Sequence, residues 1–161
     1  MPIGRLYTAP INISTAFTAQ IDIFEILSAT GKPMALHGFE LGQLSEVGDA
    51  QEEQLQLVLK YVTGAPTSGS GGGTSTFRPI NPNDTAAGLA IETGNTTKLS
   101  GGTSVELRRF PWNVRQSLLW VPTPEARHRA ADGTRFVLEL AATPADSISA
   151  VVGWVEVEEL I

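Results

Sequence analysis

The chain has 161 residues and a formal net charge of −6, with 42% apolar residues, 17% charged residues and no cysteine. A chain of this length can bury about 70% of the surface that it exposes when unfolded, so one domain with a substantial core is expected. The negative charge argues against a protein that coats nucleic acid, which needs clustered Lys and Arg, and the absence of cysteine excludes disulfides and thiolate metal sites.

The N-terminal residues 1–13 are predicted to form an extended arm. They lack the charged and then apolar pattern of a secretory signal, and no apolar run in the chain reaches the roughly 20 residues that span a bilayer. We therefore expect a protein made in a cytoplasm, without a membrane partner. Pro2 and Pro10 restrain the backbone and disfavour helix. The apolar side chains that the arm would lay across a neighbouring subunit are Ile3, Leu6, Tyr7, Ile11 and Ile13.

Alternating apolar residues predict β-strands through most of the chain. In residues 53–62, Leu55, Leu57, Leu59 and Tyr61 fall on one face of an extended backbone, as a half-buried strand requires. Further candidate strands are residues 12–18, 21–27, 34–41, 105–110, 114–120, 135–140 and 147–160. Turn-forming residues separate these segments, and only residues 49–55 resemble a turn of helix. The predicted fold is all-β, a single-domain β-sandwich or jelly roll.

Residues 63–88 form a long interruption of the strand pattern and contain the run SGSGGG (68–73). A G-x-G-x-x-G spacing would need glycine at Thr74, and no Gly-Lys-Ser/Thr sequence follows, so a phosphate-binding loop is not indicated. The strand pattern on each side is incomplete alone, which argues against a linker between two domains. We predict one long loop with a mobile Gly/Ser portion, which is either solvated disorder or an arm that contacts a partner.

Residue types that support catalysis or metal binding are scarce. His37 lies among alternating apolar residues and His128 lies in a polar loop, whereas a histidine-based metal site needs convergent ligands. The carboxylates of residues 46–53 lack the spacing of a calcium loop, and no G-x-S-x-G motif marks a serine nucleophile. We predict that the protein is not an enzyme and has no catalytic residue, cofactor or metal.

Charges are segregated along the sequence. Residues 20–53 hold seven acids and one base, whereas residues 108–135 hold six arginines and two acids. The two segments are either solvated faces or complementary patches between copies, and the second interpretation predicts a homo-oligomer, with a head-to-tail homotrimer as the expected form. The residues predicted to contact other subunits or a capsid are Ile3, Leu6, Tyr7, Ile11, Arg108, Arg109 and Trp112.

Six short motifs follow one another in order along the chain. They are SEVGDAQEEQLQL (45–57), TSGSGGG (67–73), GNTTK (94–98), FPWNVRQ (110–116), PTPEAR (122–127) and PADSI (144–148). In this ordered set, from about Asp22 to its end, the chain resembles a family of short, mostly uncharacterised proteins encoded by tailed phages and prophages. The resemblance implies a virion structural protein made in a bacterial host, and it assigns no catalytic residue.

The favoured hypothesis is a capsid decoration, or cement, protein of a bacteriophage. Such a protein stabilises the head by binding the major capsid protein at the capsid surface, and phage decoration proteins with jelly-roll folds commonly form trimers there. The alternative is a virion module that binds carbohydrates or a host surface through loops and through Trp112, Trp120 and Trp154. The exposure of the tryptophans separates the two hypotheses.

Overall fold

Twelve strands and one short 3₁₀ helix make up the regular structure of residues 4–44 and 52–160, which are the residues that the computed structural model describes. The 3₁₀ helix, Pro124–Ala126, lies between β9 and β10. The strands are β1 (Arg5–Ile13), β2 (Asp22–Leu27), β3 (Met34–Gln43), β4 (Gln54–Thr63), β5 (Gly73–Ser75), β6 (Arg78–Pro79), β7 (Ala90–Asn95), β8 (Thr103–Asn113), β9 (Leu118–Trp120), β10 (Arg129–Ala130), β11 (Arg135–Leu140) and β12 (Val151–Glu159).

The strands form two antiparallel sheets that pack face to face. Sheet 1 has the order β10–β3–β12–β1–β6, and β9 also pairs with β3. Sheet 2 has the order β5–β7–β2–β11–β4–β8. The prediction of an all-β sandwich is confirmed.

The core lies between the two sheets and follows the alternation of the sequence. In β4, Leu55, Leu57 and Leu59 are buried, which confirms the face predicted for this strand. Phe39 of sheet 1 meets Phe24 and Phe110 of sheet 2 edge to face, with ring centroids 5.8 and 5.5 Å apart. Burying one such side chain stabilises the fold by about 1.5–3 kcal/mol, so these contacts hold the sheets together.

The predicted N-terminal arm is wrong for residues 5–13, which form β1 inside sheet 1. β1 pairs along its whole length with β12, and Tyr7 and Ile11 are fully buried. The carbonyl of Pro10 accepts a hydrogen bond from the Ser75 hydroxyl at 2.8 Å, on the side away from β12. The missing N–H of Pro10 therefore removes no bond to β12, which is how a strand tolerates proline. The predicted contact residue Ile3 lies outside the described residues.

The Gly/Ser run is a structured cover over the outer face of sheet 2, so the prediction of a mobile portion is wrong. Residues 67–72, here called the glycine flap, pair with the segment that follows β7 through reciprocal backbone hydrogen bonds of 2.9–3.1 Å. A Cβ atom at Gly69 would lie 2.6 Å from the carbonyl oxygen of Thr97, and one at Gly72 would lie 2.3 Å from that of Thr93. Glycine is required because the flap backbone approaches its neighbours this closely.

Candidate functional site

The side of the sandwich nearest β8 carries aromatic, cationic and exposed aliphatic side chains. Here β8 is the edge of sheet 2, and the short strands β9 and β10 form the edge of sheet 1. We call this group the Trp120 cluster: Arg108, Leu119, Trp120, Val121 and His128.

The register of β8 positions Arg108 in the cluster. The pairing of β8 with β4 shifts between Leu59 and Lys60, so that Leu107 is an extra residue on β8. Arg108 lies opposite Leu59, which is fully buried. Because directly opposed residues share a face, the Arg108 side chain leaves β8 on its inner face, towards sheet 1.

The guanidinium of Arg108 bridges the two sheets at this edge. Its Cζ lies 5.7 Å from the centroid of the Trp120 ring, a distance at which a cation is attracted to the aromatic face. Its Nε donates to Nε2 of His128 at 3.2 Å. The rings of Trp120 and His128 stack with centroids 6.0 Å apart and 18° between their planes, so the three side chains brace one another.

The environment of His128 keeps its imidazole neutral at neutral pH. Burial, followed by the charge of Arg108, lowers the pKa of His128. The Nε2 atom is therefore an acceptor, in agreement with its hydrogen bond from Arg108. His128 lies in a polar loop, as the sequence indicates, but the residue is half-buried and its ring packs on Trp120. The His128 ring therefore serves as a surface on which Trp120 and Arg108 pack.

Two aliphatic side chains next to the stack face solvent. Leu119 is 59% exposed and Val121 is 60% exposed. Leu119 belongs to a row of residues on the outer face of sheet 1. In this row Leu119 of β9 lies opposite Glu40 of β3, Glu40 lies opposite Trp154 of β12, and Trp154 lies opposite Pro10 of β1. The Trp120 side chain leaves β9 on the other face, opposite the buried Phe39. An edge with exposed apolar side chains, a packed Trp and an exposed Arg has the chemistry of a protein–protein contact, in which Trp and Arg are enriched.

The predicted contact residues divide into exposed and buried groups. Arg108 and Arg109 are exposed, and Arg109 leaves the opposite face of β8, where it binds Glu106 and donates to Gln56 at 2.9 Å. Trp112 is only 1% exposed and donates its indole N–H to the Gln116 carbonyl at 3.1 Å.

Three of the predicted contacts are therefore wrong for the folded chain. Trp112, Tyr7 and Ile11 are buried in the core and have no surface to offer a partner. Leu6 is half-buried on β1. Leu119, Val121 and the stacked pair of Trp120 and His128 were not among the predicted contact residues. One signal was present, because a run of consecutive apolar residues from 118 to 121 cannot all face inward in a strand.

A second group of ionisable side chains lies beneath the glycine flap, on the outer face of sheet 2. Glu25 is 4% exposed and accepts from Arg135 Nη1 at 2.5 Å and from the Gly69 N–H at 3.0 Å. Glu139 accepts from both Lys60 and Lys98 at 2.5 Å. Burial opposes the ionisation of Glu139, but hydrogen bonds and charge from the two lysines outweigh it and hold the pKa of Glu139 below its usual range.

The pair of Glu25 and Arg135 holds the flap on the sheet, since Glu25 accepts from Gly69 and Arg135 donates to Ser68. The pair also links the acidic and basic segments of the sequence inside one chain, since Glu25 belongs to the first and Arg135 to the second. The charge segregation that predicted a homotrimer is thus partly used within the subunit, and the homotrimer stays a prediction.

Two surface clefts flank the glycine flap and β5. One of about 220 Å³ is lined by residues 12–17 and 71–73 together with Thr93 and Thr96, without an ionisable side chain. The other, of about 410 Å³, is lined by residues 74–79 and 86–92 and carries Arg78 and Glu92. Within residues 4–44 and 52–160, no group of three or more His, Asp or Glu side chains is placed to hold a metal ion. In the same ranges, no helix is long and apolar enough to cross a membrane.

No protein-family model, no curated protein and no solved structure matches the chain. The features of the chain that bear on its function are therefore the geometry of the Trp120 cluster and the ordered sequence motifs.

Proposed function

We propose that the protein is a non-enzymatic structural component of a bacteriophage virion, a decoration protein that binds the major capsid protein at the capsid surface. The observation that carries the proposal is the Trp120 cluster at one edge of sheet 1, in which Leu119 and Val121 flank Trp120 in the chain and are exposed, while the Trp120 ring packs with Arg108 and His128. The ordered sequence motifs, which resemble those of phage-encoded proteins, supply the class of partner.

The cluster is suited to binding because its side chains are already fixed. A contact that immobilises a long side chain costs about 0.5–1.5 kcal/mol, and the ring contacts of Trp120 with Phe39 and Phe110, at 5.6 and 5.7 Å, meet much of that cost during folding. Full burial of an exposed Leu or Val gains about 1.5–3 kcal/mol. A rigid cluster therefore takes the binding role first expected of an N-terminal arm.

Trp154 favours the alternative of a carbohydrate-binding module of the virion. It is half-buried on the outer face of sheet 1 and donates its indole N–H to Glu40 at 2.9 Å, so an apolar ring face lies beside a carboxylate that accepts hydrogen bonds. The other two tryptophans give no further platform, because Trp112 is buried and Trp120 is occupied by Arg108 and His128.

Co-sedimentation with phage capsids that lack the protein tests the proposal. The full chain should pellet with capsids, and the double variant Leu119→Asp/Val121→Asp should pellet weakly because two charges replace the apolar contact. Ile80→Asp is the matched control, since Ile80 is 47% exposed and lies next to β6, at the other edge of sheet 1.

The outcomes separate the two functions. Failure of the wild-type chain to pellet would discard the capsid partner, and equal pelleting of the double variant would discard the Trp120 cluster as the contact. Binding to a host-surface polysaccharide that is lost in Trp154→Ala would support the carbohydrate alternative.

A further inference from the structure

We propose that β8 pairs with β8 of a second copy of this chain, giving a two-fold dimer in which the two copies of sheet 2 join into one continuous antiparallel sheet. The inference comes from the edge of sheet 2 and does not depend on the capsid proposal.

The described sheets have one long free edge. β8 spans 11 residues and pairs only with β4, whereas β5 and β6 at other edges have three and two residues and β9 and β10 have three and two. An unpaired edge strand presents a row of N–H and C=O groups that can bond to another strand. The short strands at the other edges offer few such groups to a second chain, whereas the 11 residues of β8 offer a long row of them.

The first part of β8 is open to solvent on both faces. Val105 is 38% exposed although it is apolar, and the side chains of Glu106 and Arg109 are 44% and 54% exposed. These two residues form an ion pair on the outer face, where they lie opposite Lys60 and Val58 of β4. The edge therefore carries one acid and one base on a single face, separated along the strand.

This spacing makes β8 complementary to itself in one antiparallel register. When Glu106 of one copy lies opposite Arg109 of the other, the two-fold axis passes between Leu107 and Arg108. The Glu106–Arg109 ion pairs of the two copies then run antiparallel to each other. Glu106 of each copy therefore lies directly across from Arg109 of the other copy. Opposite charges directly across a sheet stabilise the pairing, and like charges oppose it.

The same register agrees with the faces of the remaining residues. It places Val105 opposite Phe110, and both lie on the inner face of β8, across from Tyr61 and Leu57 of β4. It also places Ser104 opposite Pro111, beyond which pairing weakens because proline has no N–H to donate.

The charges also select this register over its neighbours. A register with Glu106 opposite itself, or with Arg109 opposite itself, sets like charges against each other across the axis. Charged residues on an edge usually discourage pairing, but here they discourage the two self-opposed registers and favour the complementary one. Two-fold symmetry of this kind is the commonest in soluble oligomers, and it is an alternative to the head-to-tail trimer predicted from the charge segregation.

Sedimentation velocity of the full chain at micromolar concentration and low salt tests the proposal. A species of twice the chain mass is expected, and a monomer or a trimer as the dominant species would overturn it. Glu106→Arg and Arg109→Glu should each raise the dissociation constant by about tenfold or more, because two attractive pairs become repulsive.

The double variant Glu106→Arg/Arg109→Glu provides the decisive comparison. It restores opposite charges in the proposed register and should return the dissociation constant to within about threefold of the wild-type value. Arg78→Glu, an exposed charge reversal on β6, should leave the dimer unchanged, and thermal melting should show every variant folded. Single variants that dimerise like the wild type, or a double variant that dimerises no better than the singles, would overturn the register.

Discussion

The side chain of Asp22 accepts a hydrogen bond from the backbone N–H of Leu99 at 2.7 Å and thereby ties β2 to the segment that pairs with the glycine flap. Asp22 is fully buried, and its second carboxylate oxygen, Oδ1, has no hydrogen-bond partner. Burial is the main cause that raises the pKa of Asp22 to about 6, with the Leu99 N–H and Lys60 opposing it. An ionised Asp22 at neutral pH is therefore a cost to the fold.

Asp22→Asn should stabilise the protein at neutral pH, since the amide oxygen can still accept from Leu99 and no buried charge forms. The pKa of Asp22 is raised from 3.8 in the unfolded chain to about 6 in the folded chain, so the folded state holds the proton more tightly. The free energy of unfolding of the wild type should fall by up to about 3 kcal/mol as the pH rises from about 4 to about 6, and it should stay at that lower level above pH 6.

Urea unfolding of the wild type and the variant between pH 4 and 8 measures the effect. The difference in the free energy of unfolding should grow across the window from pH 4 to 6. Asp132→Asn, a substitution at an exposed turn, is the control and should show no such growth. A difference between wild type and Asp22→Asn that is independent of pH would contradict the assignment.

Arg135→Met should destabilise the fold and loosen the glycine flap. The variant leaves Glu25 buried without its cation, and removing one partner of a buried ion pair costs about 3–5 kcal/mol. Arg135 also donates to the Ser68 hydroxyl at 2.5 Å, so amide hydrogen exchange should accelerate most in residues 67–72. Arg129→Met, at an exposed position on β10, is the control; exchange that is unchanged in the flap would show that the network does not hold it.

Gly72→Ala should destabilise the protein by about 1–3 kcal/mol, the usual cost of overpacking. The new Cβ would lie 2.3 Å from the carbonyl oxygen of Thr93, whereas a Cβ at the next position, Gly73, meets nothing within 4 Å. Gly73→Ala is thus a matched control, and thermal melting of the two variants should separate them. Equal melting temperatures would indicate that the flap is free to move away from sheet 2.

The period-two pattern predicted the strands whose two faces differ in polarity. β4 and β11 have an apolar inner face, and β11 occupies residues 135–140 as predicted. The prediction failed where a buried face is polar. In β7, Asn95 is buried although it is polar, because the glycine flap lies against it: a Cβ atom at Gly69 would be 2.9 Å from the Cβ of Asn95. A cover formed by residues distant in sequence leaves no periodic signal in the strand that it buries.

The N-terminal strand and the Trp120 cluster were missed for different reasons. Pro10 was expected to keep residues 1–13 extended and to disfavour helix, which suits a strand as well as an arm. A strand accepts proline where the backbone nitrogen points away from the partner strand, and the pairing with β12 sets that direction. The cluster joins Arg108, Trp120 and His128 across two sheets, and neither their separation in the sequence nor their residue types indicates that they meet. Arg108 and Arg109, which were predicted as contact residues, are both exposed. Consecutive strand residues lie on opposite faces, and the extra residue Leu107 decides that Arg108 is the one that faces inward.

Arg108→Gln should raise the pKa of His128 towards its usual range, because the charge of Arg108 is one of the two causes that lower it. Burial, the larger cause, remains, so the recovery should be partial. A lowered histidine pKa in the folded state means that the protonated ring is disfavoured, so the wild type should lose stability as the pH falls below the unfolded value of about 6.5, and the variant should lose less. Titration of the imidazole resonances by NMR measures the pKa directly.

Arg109→Gln is a matched control from the adjacent residue, whose side chain lies on the other face of β8 and binds Glu106, and it should leave the His128 titration unchanged. Equal shifts in the two variants would show that net charge, rather than the contact between Arg108 and His128, sets the pKa.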